Sequence, residues 1–523
     1  MPSNYKPLTF NTSIRNPERA KYFLKTIIKF ENEIMTNDLA KKIMVEMIKD
    51  KIYRPDQSLN VLPNLKEKFK SFEALTHEDA KSLLQASEQD HLDGGFEWGW
   101  PSRFYTMYAL LRKFGLLWWE KPELNKPLLI SKIGKNLAEC VPESTLNKPH
   151  PWKFEEDTSP KEQAIFCSLL SKYQRKNPFT AELNHNCPLS LLLRVIKLIN
   201  EHYENSNGLS FKEIPFLLVW KNNNAEEIFD RIKTLRSSFN EITSDIILNS
   251  CDEYTEGRYA SWQDGSLSTS VPDDYIRKMT LTDLIIVRGG GDNWFLDLNR
   301  SKLNIIEHVI SNYSTPKNFN NEKEYYEYAS IFDPQLIEFE ENIYSLTSDD
   351  KLLYWANLYG WSKIKDELKL VQRRRISQDP RLRILSNAKK LEFLISLALK
   401  LKWKEYVIKP NYKVDHEGMI RQTAPSRMSD IVCEKDDIID LVEVTMLQDG
   451  HGQGSIEIPK IRRHVNDKKT EFPNSNVSST YITPRMHEDA LFLIRAAGLE
   501  NVIIKPFDIG EFIQKLETNS VLN

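Results

Sequence analysis

The chain has 523 residues and a formal net charge of −3. That length is more than one ordinary core fills and predicts about three domains of ~100–200 residues each. The near-neutral balance excludes a polycation that binds any nucleic acid indiscriminately. Five scattered cysteines, Cys140, Cys167, Cys187, Cys251 and Cys433, form no CxxC pair, which argues against a zinc ribbon and a disulfide framework. No apolar run approaches the ~20 residues of a membrane span, and the N-terminus lacks the layout of a signal peptide. A soluble, cytoplasmic protein with no membrane partner is expected.

Apolar residues at a 3.6 spacing predict helix from Phe23 to about Asp50, and another from His77 to Glu88. After the aromatic cluster Phe96, Trp98 and Trp100, the stretch Pro101 to Phe114 reads as a helix with Pro at its start and Gly115 past its end. Leu116 to Trp119 and Leu128 to Ile130 follow as two short strands, and Ile133 to Glu139 as a helix. Helix, then β-ribbon, is the layout of a winged helix, although a helix beside a hairpin also occurs in many α+β domains. Leu189 to Tyr203, Lys212 to Trp220 and Ala225 to Arg236 are three more helices joined by tight polar turns, with Ser210 and Glu213 spaced as a capping box. That suits a helix-turn-helix arrangement. Asp274 to Leu281 is then helical, and Leu284 to Arg288 and Trp294 to Leu298 are strands around Gly289-Gly290-Gly291. The glycine run joins two strands and enters no helix, so it reads as a hairpin turn and not as a nucleotide loop.

Glu322 to Leu370 is charged helix, broken near Asp333-Pro334, and reads as a connector. Between Trp361 and Met428 there are 17 Lys/Arg against 7 Asp/Glu, including Arg373 and Arg374. Such a run is either a solvated helix face or a phosphate-contacting surface. Beyond Gln378-Asp379-Pro380 the period changes. Strands are expected at Tyr406 to Lys409, Asp430 to Cys433, Ile438 to Val444, Ser479 to Ile482 and Val502 to Ile504. Helices at Lys389 to Leu401, Ile458 to Asp467 and His487 to Ala497 lie between them, which indicates a mixed α/β sheet covered on both faces.

Three acids stand out in that region: Glu392 in a helix, Asp430 opening a strand, and Glu443 inside the apolar strand Ile438 to Val444. A carboxylate inside an apolar strand is costly unless something pairs with it. A divalent cation is the simplest partner, and two carboxylates from one hairpin with a third from a preceding helix would gather hard oxygen ligands for Mg²⁺. Such a site suits phosphodiester hydrolysis, in which a cation polarises the phosphoryl oxygen and lowers the pKa of an attacking water. The plainer reading is a set of solvent-facing carboxylates at strand ends. Past the glycine-rich loop Gln448 to Gly454, Glu457 begins a helix carrying Lys460, Arg463 and His464, whose basic groups are placed to reach a scissile phosphate. His464 reads either as a proton shuttle or as an ordinary packing histidine.

Taken together these residues resemble the PD-(D/E)xK nuclease superfamily, and more narrowly the AlwI family of Type IIS restriction endonucleases with its PleI- and MlyI-like nicking relatives. The resemblance rests on Glu392, Asp430, Glu443-Val444-Thr445, and Glu457 with His464 seven positions later. In the N-terminal half it rests on Phe114-Gly115-Leu116 with Leu129 to Ala138, on Asn222 to Ile228, and on Leu284 to Leu298. It implies an enzyme that binds a short asymmetric site on double-stranded DNA and cuts a few base pairs to one side. Asp430, Glu443 and the Val444 carbonyl would hold Mg²⁺, Glu392 and Glu457 would complete or orient the site, and His464 would act near the phosphate. The implied fold is multidomain, with a mainly α-helical N-terminal part of winged-helix and helix-turn-helix units at 1–160 and 161–315. A helical linker at 316–377 leads to a C-terminal α/β PD-(D/E)xK nuclease domain with a mixed central sheet at 378–523. The implied partners are DNA, a cognate DNA methyltransferase, and a transient dimer or second nuclease subunit for double-strand cleavage.

Two departures accompany the matches. The superfamily's lysine, two residues after the second acid, is Thr445 here, and Asp430 follows Ser429 instead of Pro. Lys460, Arg463 and His464 are candidates for the missing cation. Base contacts are expected from Ser102, Arg103 and Tyr105 at a helix start, a groove contact from Arg288 beside the glycine turn, and phosphate contacts from Arg373, Arg374, Lys460 and Arg463. The competing reading is a winged-helix DNA-binding regulator with a non-catalytic nuclease-like C-terminal domain.

Overall fold

A computed structural model describes residues 5–10, 16–146, 148, 150–151, 158–180, 182–203, 206–239, 242–255, 266–290, 293–336, 348–415, 418–425 and 427–518. Among these no helix is long and apolar enough to cross a membrane. Two compact units emerge: one of Met1–His202, Gly208–Ile285 and Lys302–Phe339, the other of Tyr203–Asn207, Ile286–Ser301 and Glu340–Asn523.

The first unit is helical. The expected helix from Phe23 to Asp50 is two helices, Arg19–Ile27 and Asn37–Lys49. Between them Asn32 takes a φ of 71°, and the Thr36 side chain caps the second helix by accepting from the Leu39 N–H. Helix α1 (Trp100–Lys113) stops before Gly115, whose φ is 73° and where a Cβ would meet the Ser330 backbone N at 2.6 Å. The stop signal is therefore also a packing requirement. Strands β1 (Leu117–Trp118) and β2 (Leu129–Ile130) pair antiparallel, and the Ser131-capped helix Lys132–Ala138 follows. The helix, ribbon, helix order is as expected, with a ribbon only two residues long. The Ser210/Glu213 capping box forms ahead of the short helix Ile214–Val219. Most of the expected 1–160 and 161–315 subdomains thus share one unit.

The strands flanking the glycine run, β3 (Ile285–Gly290) and β4 (Asn293–Leu298), are hydrogen-bonded neighbours, and all but Ile285 fall in the second unit. Gly291 and Asp292 lie outside the described residues. The expected linker also divides. Helix Glu322–Ser330 stays with the first unit, while α2 (Ser348–Gln372) enters the core of the second. Leu352, Trp355, Ala356, Ile364, Leu368 and Val371 of α2 are buried in one cluster with α3 (Asn387–Lys402). Apart from the buried Glu367, its charges lie on the remaining face, and Gly360, with a φ of 64°, interrupts the apolar period, which is why the stretch reads as a solvated connector.

The second unit is built on a five-stranded sheet: β5 (Val407–Pro410), β6 (Ile431–Lys435), β7 (Ile438–Val444), β8 (Asn476–Thr483) and β9 (Ile504–Asp508), in the order β9-β8-β7-β6-β5. β7 runs parallel to β8 and β8 to β9, while β6 is antiparallel to β5 and β7. The sheet is mixed, as expected. Side-chain alternation sends Ile431, Cys433 and Val442 to one core with α2, α3 and α6 (Ile509–Glu517). Val432, Ile439 and Leu441 face the other, with α4 (Ile458–Glu471) and α5 (Glu488–Leu499). The glycine-rich stretch expected as a loop is instead, over His451–Glu457, a π-helical turn that runs into α4. A Cβ on Gly450, just before that turn, would stand 2.3 Å from the Asp489 carboxylate at the start of α5, so a larger residue there would make that side chain shift.

Candidate active site

The β6–β7 hairpin and α3 bring the three acids to one end of the sheet. Asp430 immediately precedes β6, and its Oδ2 accepts the Val444 N–H at 2.7 Å, so the last residue of β7 orients the first carboxylate. Glu443, penultimate in β7, points to the face that carries Ile439, Leu441 and α4. Glu392 lies on α3, with Oε2 accepting the Ala424 N–H at 3.2 Å. All three are buried, Glu443 with 1% of its surface exposed.

Burial, then the charges of Glu443 and Glu392, hold the Asp430 carboxyl well above the usual range, against the pull of Lys460 and the Val444 N–H. Burial pushes Glu392 up to about 7; the Ala424 N–H and Lys460 oppose it and Glu443 adds to it. Glu457 is raised by burial and by Glu443, with Lys460 and His464 opposing. The acids therefore lie within electrostatic reach of one another. Among the described residues, no three His, Cys, Asp or Glu side chains close on one point tightly enough to hold a metal ion.

Helix α4 supplies the cations. Lys460 Nζ stands 3.3 Å from Glu443 Oε2 and 3.9 Å from Glu457 Oε2. That approach places a charge directly beside the buried Glu443 Oε2. Burial disfavours the Lys460 ammonium, yet Glu443, Asp430 and Glu457 outweigh that and raise its pKa. One turn on, His464 Nδ1 lies 2.6 Å from Glu443 Oε1, while among the described residues its buried Nε2 has no hydrogen-bond partner. Arg463, between them, is exposed, because one residue turns the side chain about 100° around the helix. Of the three candidates for the missing cation, α4 brings Lys460 and His464 to Glu443.

Sequence reasoning missed two neighbours. Tyr481 on β8 pairs in register with Glu443; its hydroxyl is buried without a hydrogen bond, and burial, then Glu457 and Glu443, raise its pKa. Gln453, fully buried, donates to the Leu447 and Arg485 carbonyls at 2.8 and 2.7 Å and accepts the His487 N–H at 2.9 Å. It ties the π-helical turn to the segments leaving β7 and β8. The only local hint of this was the glycine spacing around it.

A family model described as AlwI restriction endonuclease matches residues 113–357 and 354–514. The chain belongs to the AlwI restriction endonuclease family. It is thus a site-specific endonuclease whose substrate is DNA. No curated protein matches the chain. Among solved structures, the small subunit of the heterodimeric restriction endonuclease R.BspD6I is similar at 19% identity over 30% of this chain and 77% of that one. Its TM-score of 0.25 is too low to carry an argument.

In this AlwI-family chain the expected recognition residues fare differently. Ser102 is fully buried in α1, with its hydroxyl toward the Asp93 carbonyl at 3.4 Å, and has no surface to offer a base. Arg103 donates to Gln89 Oε1 at 2.9 Å and keeps part of its surface exposed. Tyr105 is half-buried against Phe96 and Trp119. Arg288, expected at a wing tip, is 7% exposed and lies between Asp297 at 3.1 Å and Asp415 at 3.0 Å. Two carboxylates neutralise it inside the unit, so it is no free groove contact. Arg373 and Arg374 follow the end of α2 and are exposed, and Arg374 Nη2 reaches the Met446 carbonyl just past β7 at 3.4 Å.

Proposed function

We propose that the chain is a Mg²⁺-dependent Type IIS endonuclease, with a PD-(D/E)xK nuclease unit and helical recognition elements of winged-helix and helix-turn-helix type in the N-terminal unit. It binds a short asymmetric DNA site and hydrolyses a phosphodiester a few base pairs away. The observation that carries this reading is the convergence of Asp430, Glu443 and Glu392 with Lys460 at one end of the mixed sheet. The donor chemistry fits a hard divalent cation. Buried Asp430 and Glu392, whose pKa values are raised by burial and then by the charge of Glu443, make a donor set that added positive charge would stabilise.

Asp430, Glu443 and the Val444 carbonyl would hold Mg²⁺. Bound there, the cation supplies Lewis acidity to the phosphoryl oxygen and lowers the pKa of the attacking water. The chain's own part is orientation and charge. The Val444 N–H fixes Asp430, and His464 fixes Glu443. Lys460 stands in for the superfamily lysine absent at Thr445: an ammonium delivered by α4 instead of by the strand, beside the second acid. Glu392, held near neutrality on the proton scale, retains or releases a proton at its carboxyl next to the reacting phosphate. His464 is a positioning residue in this scheme; its burial leaves the proton-shuttle role without an open path. Arg373, Arg374 and Arg463 are exposed cations for the DNA backbone, and Arg103 and Tyr105 keep partial surface for recognition.

One such site per chain cuts one strand, so double-strand cleavage calls for a transient dimer or a second nuclease subunit. Self-protection calls for a cognate DNA methyltransferase. The test is incubation of unmethylated plasmid with protein and Mg²⁺ beside Asp430→Ala and Glu443→Ala. Discrete fragments or nicked circles from the unaltered protein alone are expected. A plasmid left intact by all three would favour the regulator.

A further inference from the structure

A shallow open cleft lies in the second unit, lined among others by Arg288 and Gly289 of β3 and by Arg381, Asp415 and Arg421. Its carboxylates already have partners. Asp297 and Asp415 flank Arg288 at 3.1 and 3.0 Å, and the other oxygen of Asp415 accepts the Met419 N–H at 3.0 Å. Three further cations gather around the cleft. Arg381 stacks 5.0 Å from the centre of the Trp355 ring, Lys389 Nζ reaches the Gly289 carbonyl at 3.5 Å, and Arg421 is exposed at the rim. Among the described residues no carboxylate forms an ion pair with any of the three. Partial burial, and then the charge of Arg421, lowers the Lys389 pKa.

Position ties this cluster to the acids. Lys389 is one helical turn before Glu392 on α3, so both side chains leave the same face. Arg421 lies three residues before Ala424, whose N–H holds Glu392. Cations gathered in one place with no carboxylate paired to them among the described residues have one natural ligand: a polyanion laid past the acids.

We infer that Lys389, Arg381 and Arg421 form a seat for a backbone phosphodiester of the bound DNA, next to the phosphate that meets Asp430 and Glu443. The inference deepens the nuclease reading and rests on it. A seat of this kind reads no sequence, so it sets where along the strand the scissile phosphate stops.

The experiment measures binding of the full chain to a fluorescent mixed-sequence duplex of about 30 base pairs, by anisotropy, at salt from about 50 to 200 mM. Lys389→Ala with Arg421→Ala is expected to flatten the slope of log affinity against log salt by about two and to weaken binding about tenfold. Lys389→Arg with Arg421→Lys should stay near the unaltered protein. Both residues are at least partly exposed, so a near-normal melting temperature is expected in each variant. An unchanged slope and affinity in the alanine pair would overturn the seat. If Glu443→Ala still abolishes cleavage in parallel assays, the nuclease reading survives that loss; if Glu443→Ala cuts normally, the nuclease reading itself falls. A thermal shift with inorganic phosphate at fixed ionic strength, lost in the alanine pair while duplex affinity is unchanged, would assign the cleft to free phosphate and overturn the seat as well.

Discussion

His464 Nδ1 sits 2.6 Å from Glu443 Oε1, both side chains buried, so an imidazole from α4 holds a carboxylate of β7 in place. An ionised carboxylate can only accept, which places the proton on Nδ1. The arrangement is that of a donor that holds a carboxylate in one orientation.

His464→Ala is accordingly expected to lower kcat about 10–100-fold and to raise the Mg²⁺ concentration needed for half-maximal cleavage, with KM for DNA little changed. His464→Asn, which keeps a donor near the Nδ1 position, should recover much of the loss. A Mg²⁺ requirement untouched in both variants would contradict the positioning role.

Lys460 invites a transplant. The lysine that the PD-(D/E)xK resemblance implies two residues after the second acid is absent, because residue 445 is Thr, and the Lys460 ammonium on the helix lies 3.3 Å from Glu443. Lys460→Ala should cost at least about 100-fold in cleavage, the scale for loss of a group that stabilises charge in the transition state, while leaving DNA binding near normal. Adding Thr445→Lys to that variant should restore part of the rate. No recovery, with the double variant folded and binding DNA, would argue that the two positions do not serve the same point in space.

How much of this was legible follows from the range of each interaction. Glu443 inside an apolar strand is anomalous by itself, and Asp430 and Glu392 joined it through short-range pattern alone. Which of Lys460, Arg463 and His464 faces Glu443 was not legible, because it depends on the rotation of α4 against the sheet, set by Ile458, Ile461 and Val465 in the core. Tyr481 became a neighbour only through parallel pairing of β8 with β7. Arg288 looked like a free wing tip because its partner Asp415 is 127 positions away. The burial of α2 was hidden by Gly360, which breaks the helical period that marks a core face.

Glu392 gives the pH dependence. Its folded carboxyl is raised from 4.5 to about 7. A folded acid that holds its proton more tightly than the unfolded chain does stabilises at low pH; that contribution is fully present below about 4.5 and is lost as pH rises from there to about 7. In EDTA, Glu392→Gln should therefore raise the melting temperature at pH 8 and change it little at pH 5. The gap is at most about 3 kcal/mol, since one pKa unit is worth about 1.4 kcal/mol. Calorimetry of the two proteins at both values decides it. A difference of equal size at both pH values would mean that packing, and not the charge, is responsible.

Arg288 separates structure from recognition. Its guanidinium is buried between Asp297 and Asp415, so Arg288→Met leaves two carboxylates facing each other without their shared counter-charge. Removing one partner of a buried ion group costs about 3–5 kcal/mol, whereas replacing the whole group with neutral side chains is often tolerated. Arg288→Met should lower stability by about that amount in urea titration. Combining it with Asp297→Asn and Asp415→Asn should return much of the loss. The salt dependence of DNA binding should stay the same in the triple variant, because this arginine is already neutralised by its own chain. A flattened salt slope in a stable triple variant would instead return Arg288 to the list of phosphate contacts.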